Sequence, residues 1–233
     1  MKNFTIIIPI FNEIDSIFNL LDEIKKEFKE QLPEVIIVDD GSTDNFVKKK
    51  IEFKKKDLKI IHHKENLGKC RAMLTGVENA KKNNICIIDG DGQNPPYEAK
   101  KLMNFWMNIS KTEKQFALVC GNRTKRQDSM SKRISSKVAN KIRKIMLDDD
   151  CDDTACALKV FSKDDYLQLK YFRNMHRFLP ALFKINSGKI FNVPVDDRKR
   201  TNGISKYSFH NRFWIGILDL VNVWLMVLKR RKK

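Results

Sequence analysis

The stretch FTIIIPIFNEIDSIFNLLDEIKKEFKEQLPEVIIVDD, residues 4–40, decides the fold. Phe4 to Pro9 is a short β-branched apolar run and Val35 to Asp40 is a second, while Ile14, Ile17, Leu20, Leu21, Ile24 and Phe28 recur between them at helical spacing. That is a strand, a helix and a strand. Continuous apolar strands joined by amphipathic helices need cover on both faces, so the unit predicts a parallel sheet with helices above and below it.

The pattern continues downstream. LKIIHH reads as a short strand, residues from about Gly68 to Asn83 as a helix, and NICIID as another strand. Pro95 and Pro96 suit the first turn of a helix that runs to about Ile109, and FALVCGNR follows as a strand. In open sheets of this kind ligands bind beyond the carboxyl ends of the strands, where Asp39, Asp40, Asp89, Asp91 and Arg123 all fall. Further on, Met130, Ile134, Val138, Ile142 and Ile145 form one apolar stripe, and Lys132, Arg133, Lys137, Lys141, Arg143 and Lys144 surround it. Residues 130–147 therefore predict a basic amphipathic helix. With no internal repeat or low-complexity linker, the chain divides into one domain, residues 1–210, and a C-terminal helical segment, residues 211–233.

With 42% apolar residues in 233, the chain can bury a sizeable core. Its 46 lysines and arginines against 29 acids give a net charge of +17, which favours phosphate-rich partners, either nucleic acid or an anionic membrane face. The five cysteines show no zinc-ligand spacing and read as reduced thiols of a cytoplasmic chain. At the N-terminus the apolar run IIIPI is too short for the core of a signal peptide, so export is not expected.

The turn at the end of NICIID carries the chemistry. Asp89 and Asp91 place two carboxylates within a few ångströms, and like charges that close need neutralising. Mg²⁺ or Mn²⁺ would do this, because a hard divalent cation takes oxygen ligands and shares them with a substrate's phosphates; Asp89, Asp91 and Gln93 form a partial shell that a diphosphate completes.

Seven segments together carry a resemblance: PIFNE (9–13), VDDGSTD (38–44), NLGKCRAMLTG (66–76), DGDGQNPP (89–96), GNR (121–123), DDTACALKVF (152–161) and RKRTNGISKY (198–207). The chain resembles the family 2 glycosyltransferases of GT-A fold, and within them the dolichyl-phosphate mannosyltransferase-like, polyprenyl-phosphate branch. That resemblance implies a mostly parallel α/β sheet with a C-terminal amphipathic extension. It also implies an inverting transfer of one sugar from a nucleotide-diphosphate sugar to a polyprenyl phosphate at the cytoplasmic membrane face. Pro9, Phe11 and Glu13 would hold the donor's nucleoside, with Val38 and Asp40 at base and ribose. Asp89, Asp91 and Gln93 would hold the metal on the diphosphate, with Gly90 in the turn between them. Arg123, Arg198 and Lys206, with Arg133 as an outlying member, would surround the phosphates of donor and acceptor. Two departures stand out: family members often carry alanine at the position of Gly90, and where the family places a helix near the acceptor this chain has His176, as a base or as a hydrogen-bonding residue.

A lipid monophosphate has a second pKa near 6, so it is a largely ionised nucleophile at neutral pH and needs alignment and charge neutralisation more than a general base. A saccharide acceptor would need a carboxylate base, and Asp152 and Asp153 are available for that alternative. A nucleic-acid binder fits the charge but not the acidic strand ends, so no nucleic acid partner is expected. The cationic excess instead suits a membrane. Residues 213–228 form an apolar run of about 24 Å as a helix, short of the roughly 30 Å hydrocarbon core and interrupted by Asp219. Lys229 to Lys233 follow directly. At about 1 kcal/mol per basic residue near an anionic surface, they and the basic helix over residues 130–147 predict peripheral docking, with Trp214 and Trp224 adding apolar contact.

Overall fold

A computed structural model describes residues 1–44, 46, 57–109, 113–124, 140, 142–198 and 209–231, the side chains of the last segment only over 216–229. The opening unit forms β1 (Phe4–Ile10), α1 (Ile14–Phe28) and β2 (Glu34–Asp39), with β1 and β2 parallel and Ile7 opposite Ile36. Every residue of β1 is buried because the strand is central: Phe4, Ile6, Ile8 and Ile10 enter one core and Ile7 enters the other.

β3 (Leu58–His62) pairs with β2, and α2 (Lys69–Asn79) crosses to β4 (Asn84–Ile87) beside β1. Then come α3 (Pro96–Asn108), β5 (Leu118–Arg123), a helical stretch α4 (142–147), β6 (Lys159–Ser162), α5 (Lys163–Leu167), α6 (Leu179–Ile185), β7 (Ile190–Val195) and α7 (Phe209–Arg231). The seven strands lie in the order β3-β2-β1-β4-β6-β5-β7, with β6 antiparallel to both neighbours and all other pairs parallel. This is the expected α/β, mostly parallel sheet. One core packs α1 and α3 on one face, and a second packs α2, α5 and α6 on the other.

The observed elements depart from the sequence reading in several places. Ala80 turns extended (φ −68°, ψ 136°), so α2 ends at Asn79 rather than near Asn83. Strands β6 and β7 escape a periodicity reading: β6 has four residues and carries buried Lys159, while β7 is interrupted by Pro194. In the described part of the 130–147 helix, Ile142 and Ile145 are 49% and 72% exposed, whereas Arg143, expected on the basic flank, is buried. Its guanidinium Nη2 donates to the Cys151 carbonyl at 2.6 Å, Nη1 to Thr154 Oγ1, and Nε lies 3.0 Å from Asp149 Oδ2. Asp148 and Asp150 adopt left-handed φ values of 49° and 52°, and the turn they make folds these acceptors back under the helix.

Helix α7 packs on the domain through Val223 and Val227, which join Leu147, Phe178 and Ala181 in a third cluster. Trp224 is half-buried and rests partly against that cluster, the side chain of Trp214 lies outside the described residues, and Asn174 Nδ2 donates to Asp219 Oδ2 at 3.1 Å. Among the described residues, no helix is long and apolar enough to cross a membrane. All five cysteines are free and buried.

Candidate active site

The carboxyl ends of β1, β2, β3 and β4 are adjacent in the sheet, and their loops are fastened to one another. Asn12, at φ 54°, donates its amide to Ser42 Oγ (2.8 Å) and accepts from Thr43 N at Oδ1 (2.6 Å), while Ile14 N donates to Asp44 Oδ2 (2.9 Å). The PIFNE and DDGSTD segments thus form one rim. Pro9 is buried at the end of β1, Phe11 and Glu13 are half-buried, and the Glu13 carbonyl accepts the first amides of α1 from Ser16 and Ile17 at 3.1 Å. The side chain of Val38 lies within the core, so a nucleoside there would meet its backbone.

Asp39 and Asp40 are both buried, and each has a histidine partner from the end of β3. Asp39 Oδ2 lies 2.9 Å from His62 Nδ1, and its Oδ1 accepts from Ser42 N at 3.0 Å. Asp40 accepts from Leu67 N (3.0 Å) and Gly68 N (2.8 Å) and lies 2.8 Å from His63 Nδ1, whose Nε2 reaches Thr75 Oγ1 at 3.0 Å. Asp40 therefore fastens the loop that leads into α2. The two histidines were not singled out from the sequence, but the signal was there: a DD pair ending one strand and an HH pair ending the next fall in register, with Asp39 opposite His62.

Asp89, Asp91 and Gln93 are half-buried on alternate positions of the turn after β4. Gln93 N donates to Asp91 Oδ1 at 3.1 Å, and Ser16 Oγ donates to the Gly90 carbonyl at 2.7 Å. Lys69 Nζ lies 2.5 Å from Asp89 Oδ1. Among the described residues, no group of three or more Asp, Glu, His or Cys forms a complete metal cage. Two carboxylates and an amide suit a hard cation that keeps substrate phosphate among its ligands, so the residues present fit Mg²⁺ or Mn²⁺.

The arginines are held by acids. Arg123 makes a bidentate pair with Asp153, Nε to Oδ2 at 2.7 Å and Nη2 to Oδ1 at 3.1 Å, and Nη1 reaches Asp197 Oδ2 at 3.4 Å. Burial opposes its charge, but hydrogen bonding to Asp153 and the two carboxylates outweigh this and raise its pKa. Arg198 crosses to the metal turn, donating from Nε to the Gly92 carbonyl (2.6 Å) and from Nη2 to Glu23 of α1 (2.5 Å). His176 Nδ1 lies 3.0 Å from Cys70 Sγ, and its backbone amide donates to the same sulfur at 3.2 Å. Lys206 and Arg133 lie outside the described residues.

The profile of glycosyl transferase family 2 matches residues 5–170, most of the sheet and every strand end just described except those of β7. The chain belongs to this family. A dodecaprenyl-phosphate galacturonate synthase of Rhizobium johnstonii is 30% identical over 228 residues, which cover 94% of this chain and 65% of that protein. The chain thus spans just under two thirds of that relative's length. Crystal structures of glucosyl-3-phosphoglycerate synthase from Mycobacterium tuberculosis share the fold. One with Mn²⁺, UDP and phosphoglyceric acid superposes at TM-score 0.69 with 16% identity, over 98% of this chain and 78% of that one. Another with Mg²⁺ and UDP gives 0.69 with 15% identity, over 98% and 79%. In this family 2 chain, a Cβ at Gly90 would lie 2.4 Å from Ile10 Cγ2, so an isoleucine methyl fills the space that an alanine there would need.

Proposed function

We propose that the chain transfers one sugar from a nucleotide-diphosphate sugar to a polyprenyl phosphate, with inversion at the anomeric carbon, at an anionic membrane face. The observation that carries this reading is the half-buried Asp89, Asp91 and Gln93 set on one turn, between the β1 and β2 rim and the arginine-bearing ends of β5 and β7. Mg²⁺ or Mn²⁺ held there would stabilise negative charge on the departing diphosphate. The chain's own residues do the rest. The β1 and β2 rim seats the nucleoside, Asp89, Asp91 and Gln93 would hold the cation against which the diphosphate is oriented, and the acceptor phosphate oxygen attacks the anomeric carbon as its bond to the diphosphate oxygen breaks.

The carboxylates near β5 argue for phosphate over a saccharide hydroxyl. Asp153 is 2% exposed and paired in bidentate fashion with Arg123, and Asp152 binds Lys144 Nζ at 2.6 Å and Asn122 Nδ2 at 3.3 Å. Both carboxylates are thus engaged by cationic or amide side chains, and an ionised phosphate does not need a general base.

A panel of radiolabelled GDP- and UDP-sugars, incubated with undecaprenyl or dolichyl phosphate, tests the reading. Label should enter the organic-extractable lipid with Mg²⁺ or Mn²⁺, stop with EDTA, and disappear in Asp91→Ala. Donor turnover without lipid labelling would reject the acceptor, and full activity of Asp91→Ala would reject the metal assignment.

A further inference from the structure

Lys69 is an odd residue to open a helix. As the first residue of α2 it brings a cation to the positive end of the helix dipole, with no acid in the first turn to offset it. Such placement disfavours the helix by about 0.3–1 kcal/mol, so helix stability does not account for it. Its ammonium instead sits 2.5 Å from Asp89 Oδ1, on one of the two carboxylates of the candidate metal turn.

The backbone around Lys69 is fixed while its side chain is not enclosed. Asp40 accepts the amides of the two residues before it, Leu67 and Gly68, and His63 ties Asp40 to Thr75 within the same helix. The next residue, Cys70, is docked on His176. The side chains of Lys69 and Asp89 are 33% and 28% exposed, so the pair can open toward the cleft. Arg123 and Arg198 differ: their acidic partners are Asp153, Asp197 and Glu23, none of them in the metal turn.

We propose that Lys69 is the resident countercharge of Asp89 and couples cation binding to diphosphate binding. This rests on the reading of residues 89–93 as a shared metal and diphosphate site. Asp89, Asp91 and Lys69 together carry a net charge of about −1, and a divalent cation arriving alone must take Asp89 from the ammonium and then stand beside it. A diphosphate removes that conflict. It supplies oxygens to the cation and a new anionic partner to Lys69, which leaves Asp89 and turns to the phosphate. Cation and diphosphate therefore bind cooperatively, and by linkage each tightens the other by the same factor.

The test is Mn²⁺ binding to the full chain, followed by calorimetry and by loss of the free-ion paramagnetic signal, with and without UDP or GDP. Wild type should bind Mn²⁺ weakly alone and at least about fivefold more tightly with the matching nucleotide, the lower end of typical coupling. Lys69→Met should bind Mn²⁺ alone more tightly than wild type, and the nucleotide's added effect should shrink to the part that the diphosphate's own oxygens on the cation supply. Lys69→Arg, which keeps the charge, should restore weak binding alone. If wild type binds both ligands but Lys69→Met leaves the Mn²⁺ affinity and the coupling unchanged, the role of Lys69 is overturned while the donor-site reading stands. If wild type binds neither ligand in any combination, the donor-site reading falls and the coupling with it.

Discussion

At the scale of single residues, acids that look alike in the sequence have different duties. Asp40 is buried and takes two backbone amides and a histidine, so its carboxylate shapes the loop before α2. Asp40→Asn turns one acceptor oxygen into a donor facing those N–H groups, and a buried group left so mismatched costs about 1–3 kcal/mol. For a chain this size that lowers Tm by several degrees. Thermal unfolding of the variant without ligand checks this, since a residue that only touched ribose would leave the apo Tm unchanged. His176 gives a pH signature. Burial pulls its imidazole well below the ordinary histidine range, and burial pushes the Cys70 thiol up, so the pair is neutral in the fold. Because the unfolded chain binds the proton first, the native state loses stability as pH falls below about 6.5, the unfolded value, by at most about 1.4 kcal/mol per pH unit from this one group. Chemical unfolding of wild type and His176→Gln between pH 7.5 and 5 should show the wild type's slope reduced in the variant; identical slopes would discard the assignment.

At the scale of elements, the contact between α2 and β1 can be tested through Gly76. Alanine there gains up to about 1 kcal/mol of helix propensity, but its Cβ would lie 2.4 Å from Cγ2 of Ile7, which is fully buried. Overpacking of a core costs about 1–3 kcal/mol, so Gly76→Ala should be destabilising overall, as a denaturant midpoint will show. Helix α7 poses a different question. Leu218, Val221 and Leu225 are 65%, 38% and 45% exposed and recur on one helical face, while Val223 and Val227 hold the helix to α6 and α4. If this row and exposed Ile145 of α4 form the membrane-docking face, Leu218→Glu with Leu225→Glu should reduce cosedimentation with anionic vesicles and leave Tm near wild type. Unchanged vesicle binding would point away from this face. The sequence marked the helix and its tryptophans, but a helical wheel does not reveal that Leu147, Phe178 and Ala181, distant in the sequence, form the cluster against which one side of the helix packs.

For the whole molecule, legibility follows the range of the interactions involved. The unit from Phe4 to Asp40 was readable because hydrophobic period and burial coincide along a local stretch, and the turn at residues 89–93 because its ligands are consecutive. The Arg123–Asp153 pair, the Arg198 bridge from Gly92 to Glu23 and the Lys69–Asp89 contact join segments 20 to 175 residues apart, and only the folded sheet edge brings them together. That edge yields a test of the whole domain. A ligand that binds the native state alone at 100 times its Kd adds about 2.7 kcal/mol of stability, and each kcal/mol raises Tm by about 2–4 °C at this size. The matching nucleoside diphosphate with Mn²⁺ should therefore raise Tm by roughly 5–10 °C, the wrong base should do so less, and EDTA should cancel the gain. Asp91→Asn should keep the apo Tm, since Asp91 is only half-buried, and lose the ligand-induced rise. A variant whose apo Tm collapses would show the turn to be structural. One that keeps the full rise would show that the diphosphate is held elsewhere.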